Sequence, residues 1–394
     1  MKTARKAYAL SIVPIISILL ALLSGAILII LSSPASQGHL DLLLPIKAYE
    51  ALLEGATGIS FLDIDDSGGA ALALSLIPSS QALTNTLVAA GPLVLTGLAV
   101  GVGFKAGLFN IGGTGQVLVG GFFAALVGSL VAQQPPVIAV PVAILAGALG
   151  GALYGFIPGA LKAFTGAHEV VVTIMLNSLA AFAIIGLVND IFKITGPTFA
   201  RTADVGNAAL PVLFGRDGNL GVFIAFAMVP IAYFLIYRTT LGFEIRTVGA
   251  NPSAARYAGM SPRRLIVLTM SLCGLFAGLA GAIEILSLGY YPAIFGTTIG
   301  FAGITVALLG RSHPVGIALA ALLLGGMRAG APAMQIEADI PIEIIDVIQG
   351  LILLFLAAEV VIRRAFRIRA GTGTPDELRD ELQTVSRSYG ETSA

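Results

Sequence analysis

Uncharged apolar runs of about twenty residues, joined by short polar stretches, recur along most of this chain, and that spacing predicts membrane-crossing helices. The runs cover residues 8–31, 83–103, 116–132, 137–160, 170–188, 220–237, 265–288, 297–310, 315–331 and 342–362. The first is too long for a signal-peptide core and is read as a retained span. The run at 297–310 amounts to only about 21 Å as a helix, short of a ~30 Å hydrocarbon core, so a half-helix or re-entrant piece is also open there. With the two pieces around Arg311 taken as separate crossings, ten spans result. Both termini then lie inside, and Lys105, Lys162, the 238–264 stretch and Arg363, Arg364, Arg367 and Arg369 share that side, as the positive-inside rule requires.

The polar joints differ in character. Residues 32–80 carry Asp41, Glu50, Glu54, Asp63, Asp65 and Asp66 against Lys47, an acidic loop on the outer side. Within it Pro45 opens a helix with Ile46, Tyr49, Leu52 and Leu53 on one face and Gly55 at its end. The longest basic joint, 238–264, holds Arg238, Arg246, Arg256, Arg263 and Arg264 against Glu244. Its pattern predicts two short helices broken at Asn251-Pro252, with Gly259 ending the second. Small residues with Tyr257 among them suit a groove on another protein; a loop that only fixes orientation is the alternative. Thr374, Pro375 and Glu377 open a short helix in a soluble tail. The organisation is thus 1–31 (N-terminus and first span), 32–80 (external loop), 81–363 (membrane core) and 364–394 (cytoplasmic tail).

Composition agrees: 56% of the 394 residues are hydrophobic and 11% charged, against about 25% charged in soluble domains. The fold class is all-α and polytopic, with the lipid bilayer as its first partner. Net charge is zero, which gives no pull toward nucleic acid. The lone Cys273 excludes an intrachain disulfide, and His39, His168 and His313 make no metal-ligand spacing.

Among 48 glycines, Gly147 with Gly151, Gly274 with Gly278, and Gly326 with Gly330 stand at the spacing of close helix packing. The stretch 104–116 is different. Gly107, Gly112, Gly113 and Gly115, with Asn110, Thr114 and Gln116, make poor helix at the edge of the bilayer, as in the broken helices of transporters. Its Gly-rich end is no P-loop, and no G-x-x-x-x-G-K-[ST] occurs anywhere. Glu169, Thr173 and Asn177 fall on one helical face. Thr173 and Asn177, with Asn110, Thr114 and Gln116, are read as polar groups lining a water-filled substrate pathway, with hydrogen bonding between helices as the alternative. Glu284 and Arg328 are further intramembrane charges. They either pair in the outer part of a pathway, or Glu284 snorkels to the outer face.

Five blocks together resemble the permease subunits of bacterial ABC importers for simple sugars and nucleosides. These are Gly97 to Val100 leading into Phe104 to Gly112, His168 to Asn177, Gly242 to Gly259, Leu309-Gly310-Arg311 with Pro314, and Gly326 to Gly330. The long acidic loop resembles the nucleoside branch. The resemblance implies a bacterial cytoplasmic-membrane protein that catalyses no covalent reaction and carries no cofactor. Its implied partners are a second, homologous permease, an ATP-binding cassette ATPase that uses the ATP, and a lipid-anchored substrate-binding protein outside. It also implies that Gly242, Glu244, Arg246, Gly249, Asn251, Pro252, Ala255, Arg256 and Gly259 couple to the ATPase. An ion-coupled secondary transporter would need acids near the midplane, and a membrane enzyme a cluster of His or acids; neither pattern is prominent.

Overall fold

The computed structural model describes residues 2–37, 41–60, 63–64, 70–71, 78–194, 199–296 and 298–358. The expected tail with its helix start at Thr374, the basic residues Arg363 to Arg369, and Asp65 and Asp66 of the acidic loop lie outside the described residues.

The described residues form helices almost throughout: α1 (Lys2–Gln37), α2 (Leu44–Thr57), α3 (Ser80–Lys105), α4 (Gly113–Leu130), α5 (Pro136–Thr165), α6 (Glu169–Asp190), α7 (Leu220–Arg238), α8 (Thr240–Ala250), α9 (Pro252–Tyr257), α10 (Pro262–Leu288), α11 (Ile299–Leu309), α12 (Pro314–Ala338) and α13 (Glu343–Ala357). Two antiparallel two-stranded ribbons, β1 (Asp63–Ile64) with β2 (Ala70–Ala71) and β3 (Val212–Phe214) with β4 (Gly218–Asn219), sit in the loops. Among the described residues, eight helices are long and apolar enough to cross a membrane: the 13–32 part of α1, then α3, α4, α5, α6, α7, α10 and α12. The all-α, polytopic class follows. Eight of the ten expected spans therefore stand at full length. The ninth, α11, has 11 residues, about 16 Å, the half-helix the sequence allowed. The tenth, α13, has 15 described residues.

The chain divides into two compact units, one of residues 1–89 with 322–394 and one of 90–321. In the first, the acidic-loop helix does not follow expectation. α2 runs through Gly55 and ends at Gly58, whose φ of 77° is the left-handed geometry that glycine accepts without strain. Gly55 instead lies against Gly330 and Ala333 of α12, where a side chain would collide. The buried face is Leu44, Ala48, Ala51, Leu52 and Ala56, while Ile46 and Leu53 are exposed. Packing against α12 selected that face; amphipathic spacing on α2 alone had suggested another. Tyr49 donates to the Leu22 carbonyl of α1 at 2.6 Å, and burial pushes its phenol up to about 12, so it stays a neutral donor.

The second unit is built on α4, α5 and α10. Gly147 and Gly151 of α5 meet Gly278 of α10 backbone to backbone, Gly151 also meets Gly274, and Gly120 of α4 meets Gly278. Two of the glycine pairs seen in the sequence, Gly147 with Gly151 and Gly274 with Gly278, are therefore partners of one another, whereas Gly330 of α12 lies against Leu52 and Ala56 of α2. In lipid, where apolar burial gives helices little reason to associate, such close approach supplies the packing. The joint between α6 and α7 folds over this core. Arg201 bridges to Pro292, and Thr202 N donates to the Tyr291 carbonyl at 2.9 Å. Tyr291 is buried among Phe122 and Phe295 rings.

Candidate functional site

Two neighbouring structures in the second unit carry the candidate residues: a break between α3 and α4, and the α8–α9 elbow packed beside it.

α3 stops at Lys105 because Gly107, with φ of 69°, turns the chain out of the helix. Eight residues later α4 begins at Gly113, with Gly112 at its N-cap. Glycine offers no side chain to the N–H groups that every helix start leaves unpaired. Two of those groups, on Gly112 and Gly115, are met from elsewhere. Asn110 Oδ1 accepts from Gly112 N at 3.0 Å, and its Nδ2 donates to Gln116 Oε1 at 3.0 Å. Asn177, on α6, accepts from Gly115 N at 2.8 Å and donates to the Ile111 carbonyl at 3.0 Å. Asn110 and Gln116 are each 1% exposed. Thr173 lies against Gly112, where a Cβ would come within 3.0 Å of its own, and its hydroxyl donates to the Val170 carbonyl.

The face of α6 expected from the sequence is thus real, and it packs on the break. At its foot Glu169, 2% exposed, holds Lys162 Nζ at 2.5 Å across the α5–α6 turn. Thr114 is half-buried beside Gly300 of α11, where an added Cβ would strike the Thr114 amide. Two broken-helix starts therefore meet there, backbone against backbone.

Glu284 and Arg328 fall in different units. Glu284 is near Tyr291, whose phenol is raised first by burial and second by that carboxylate. Arg328 of α12 lies 4.0 Å from Asp346 of α13, an acid that the sequence of α12 by itself does not offer.

The elbow matches the sequence reading closely. Thr239 caps α8 by accepting from Gly242 N. Asn251 ends α8 and caps α9, accepting from Ser253 N and Ala254 N at 3.0 Å, with Pro252 at the first helical turn. Gly259 then turns out with φ of 83°. Gly242 lies on the last carbonyls of α7, and Gly249 on Lys105 and Ala106. Ile245, Val248 and Ala255 form one buried cluster with Ala106, Leu108, Leu265 and Met270. Glu244 and Arg246 are half-buried, while Arg256, Arg263 and Arg264 are exposed and Tyr257 is 97% exposed. One face of the elbow grips the end of α3, and the other is bare.

Sequence reasoning missed one group here. Arg246 stands over the Tyr237 ring at 5.3 Å, and Tyr233 and Tyr237 both contact the His313 ring. Burial, and then Lys105, lower the His313 pKa, so the imidazole is neutral at pH 7. Its loop is unusual: Arg311 and Ser312 both have φ of 52°, a sparsely populated region for non-glycine residues. Tyr233 and Tyr237, one helical turn apart just before the basic stretch, were the available signal.

The family model described as branched-chain amino acid transport system / permease component matches residues 82–357. The chain belongs to this family. As a family member it is a multi-pass membrane transport component, and the match takes in both the break and the elbow. Among the family member's relatives, the guanosine ABC transporter permease protein NupP of Bacillus subtilis is 37% identical over 359 residues, 89% of this chain and 94% of the relative. The nucleoside ABC transporter permease protein NupB of Lactococcus lactis is 34% identical over 381 residues, 92% and 96%. The ribose import permease protein RbsC of Escherichia coli is 28% identical over 263 residues, 64% and 75%. No solved structure matches the chain.

Proposed function

We propose that the chain is the membrane-spanning permease of an ATP-driven ABC importer for nucleosides or simple sugars, coupled to a separate ATPase through α8–α9. The observation that carries this is the two-faced elbow. Its inner side is tied to the end of α3, two residues from Gly107, while Tyr257, Arg256, Arg263 and Arg264 point away from the rest of the unit. A partner that pushed on that bare face would move the break. ATP binding favours one permease state only if it acts differently on the two, and such a contact supplies the difference. Glu244 and Arg246, half-buried along α8, and Gly242, Gly249 and Ala255, pressed on their neighbours, belong to the same lever.

The solute class rests on the relatives, named for guanosine, nucleosides and ribose. Such solutes are neutral and rich in hydroxyls, which suits amide and hydroxyl groups better than full charges. Asn110, Thr114, Gln116 and Thr173 are the pathway groups of this kind, met by solute as the break opens, with Glu284 on the same unit. A second permease, an external substrate-binding lipoprotein and an elbow facing the cytoplasm, with both termini on that side, complete the reading.

The test is purification of the tagged chain from its host in mild detergent, followed by reconstitution. An ATP-binding subunit is expected to accompany it and to drive ATP-dependent uptake of radiolabelled guanosine or ribose. Uptake driven by a proton or sodium gradient, with no ATPase recovered, would replace this reading by a secondary transporter.

A further inference from the structure

Helix α4 begins without a cap of its own. Gly112 stands at the N-cap position and carries no side chain, yet the first turn of α4 is buried through Gly113, Gly115 and Gln116. In a membrane protein a buried helix start has no water to fall back on, and each unmet N–H is costly. The residue that meets the third one, Gly115 N, is Asn177 of α6, 62 residues further along the chain. An N-cap Ser, Asp or Asn ordinarily does this from within its own helix. Here the cap is delivered from another helix.

Asn177 also does something a local cap does not. Its Nδ2 donates to the Ile111 carbonyl, on the far side of the Gly112–Gly113 junction. One planar amide thus holds the last of the break and the first turn of α4 together, through a donor to Ile111 and an acceptor for Gly115. Asn and Gln carry a carbonyl acceptor and a separate NH2 donor on one planar, uncharged amide. The fit is tight: a Cβ on Gly115 would lie 3.0 Å from Asn177 Oδ1 and 3.1 Å from the Tyr154 ring. Tyr154, on α5, in turn donates to the Leu176 carbonyl at 2.6 Å, steadying α6 beside Asn177. The segment so held begins five residues after Ala106, which packs under α8.

We propose that Asn177 is a positioning residue of the transport cycle: a clamp from α6 that fixes the α3–α4 break in one arrangement and must let go for the break to move, with no contact to the solute. This rests on the permease reading above, and the test separates the two. Asn177→Leu removes both hydrogen bonds. Asn177→Asp keeps the acceptor for Gly115 and loses the donor to Ile111.

Hydrogen exchange on the purified chain reads the clamp without any transport assay. In Asn177→Leu, exchange across the peptide containing Gly115 is expected to rise roughly tenfold, the factor that matches loss of one buried hydrogen bond. In Asn177→Asp the Gly115 amide is expected to stay protected. Peptides from α10 are expected to be unchanged in both. Uptake by the reconstituted complex is then expected to fall in both variants, several-fold at equal membrane level, because Asp restores the cap but not the clamp. The proposal is overturned if exchange at Gly115 is unmoved in the Leu variant, if the rise spreads over the whole chain, or if Asn177→Asp transports like wild type. Altered exchange in the expected pattern, with a wild-type complex that moves neither guanosine nor ribose, would uphold the clamp and remove the solute assignment alone.

Discussion

Gly249 of α8 rests directly on the backbone carbonyl of Lys105 at the end of α3, and a Cβ there would run into that oxygen and the Ala106 backbone. This contact is where the bare elbow touches the helix that leads into the break. Gly249→Val is expected to push α8 off α3 at a local cost of about 1–3 kcal/mol, as overpacking does. In the reconstituted complex the ratio of solute moved to ATP hydrolysed should drop, with the amount of inserted protein near wild type. A wild-type ratio in this variant would remove α8 from the coupling route.

The packing of α10 offers a sharper stability test. A Cβ at Gly278 would lie 2.5 Å from the Gly147 carbonyl and 2.8 Å from the Gly151 Cα. Both obstacles are backbone and cannot rotate away. Gly278→Val is expected to lower the thermal midpoint in detergent clearly, by roughly 1–3 kcal/mol or more. Gly350→Val serves as the control, since nothing lies within 4 Å of its added Cβ. Equal midpoints for the two variants would mean that α4, α5 and α10 do not form the rigid core.

Lys162 and Glu169 make an asymmetric pair, with Glu169 2% exposed and Lys162 25%. Removing the ammonium leaves a buried carboxylate facing no counter-charge from α5. Lys162→Met should therefore cost about 1–3 kcal/mol, discounted from a fully buried pair because Lys162 reaches solvent. Adding Glu169→Gln to it should recover part of the loss, since an amide is cheaper to bury than a charge. A double-mutant cycle on unfolding in detergent measures the coupling; additive losses would show that the pair contributes nothing.

Membrane orientation is open to direct labelling. Asp204, before α7, and Ser253, after it, are both exposed, and α7 between them is long and apolar enough to cross a membrane. With Cys273→Ser as background, Asp204→Cys should react with an impermeant thiol reagent added to intact cells, and Ser253→Cys only after permeabilisation. The reverse pattern would invert the orientation, and labelling of both from outside would mean that α7 does not cross.

Much of this protein is written in local patterns. Runs of about twenty apolar residues fall short of alternatives to spanning a bilayer, since only helices and closed barrels satisfy the backbone there. That α11 is short for a bilayer was equally legible, because at 1.5 Å per residue its apolar run falls below a ~30 Å core. The elbow was read almost residue by residue. Asn251, Pro252 and Gly259 act on the backbone within three residues of themselves, through a side-chain cap, a fixed φ and a left-handed turn.

Contacts between distant residues were not legible, for the same reason in each case. Gly55 looked like a helix end, yet α2 continues because Gly330 and Ala333 of α12 need a bare backbone there; no pattern within α2 carries that demand. Asp346 comes to Arg328 from another helix. His313 looked isolated until α7 brought Tyr233 and Tyr237 to its ring. Asn177 was visible as a polar residue on a polar face. Its partners, the Gly115 amide and the Ile111 carbonyl, are backbone groups more than sixty residues away. Every residue carries such groups, so sequence does not mark which ones a helix start will leave unpaired. The chain's chemistry determined that it spans a membrane and where its elbow bends; only the packing of α6 against the α3–α4 break decided what Asn177 holds.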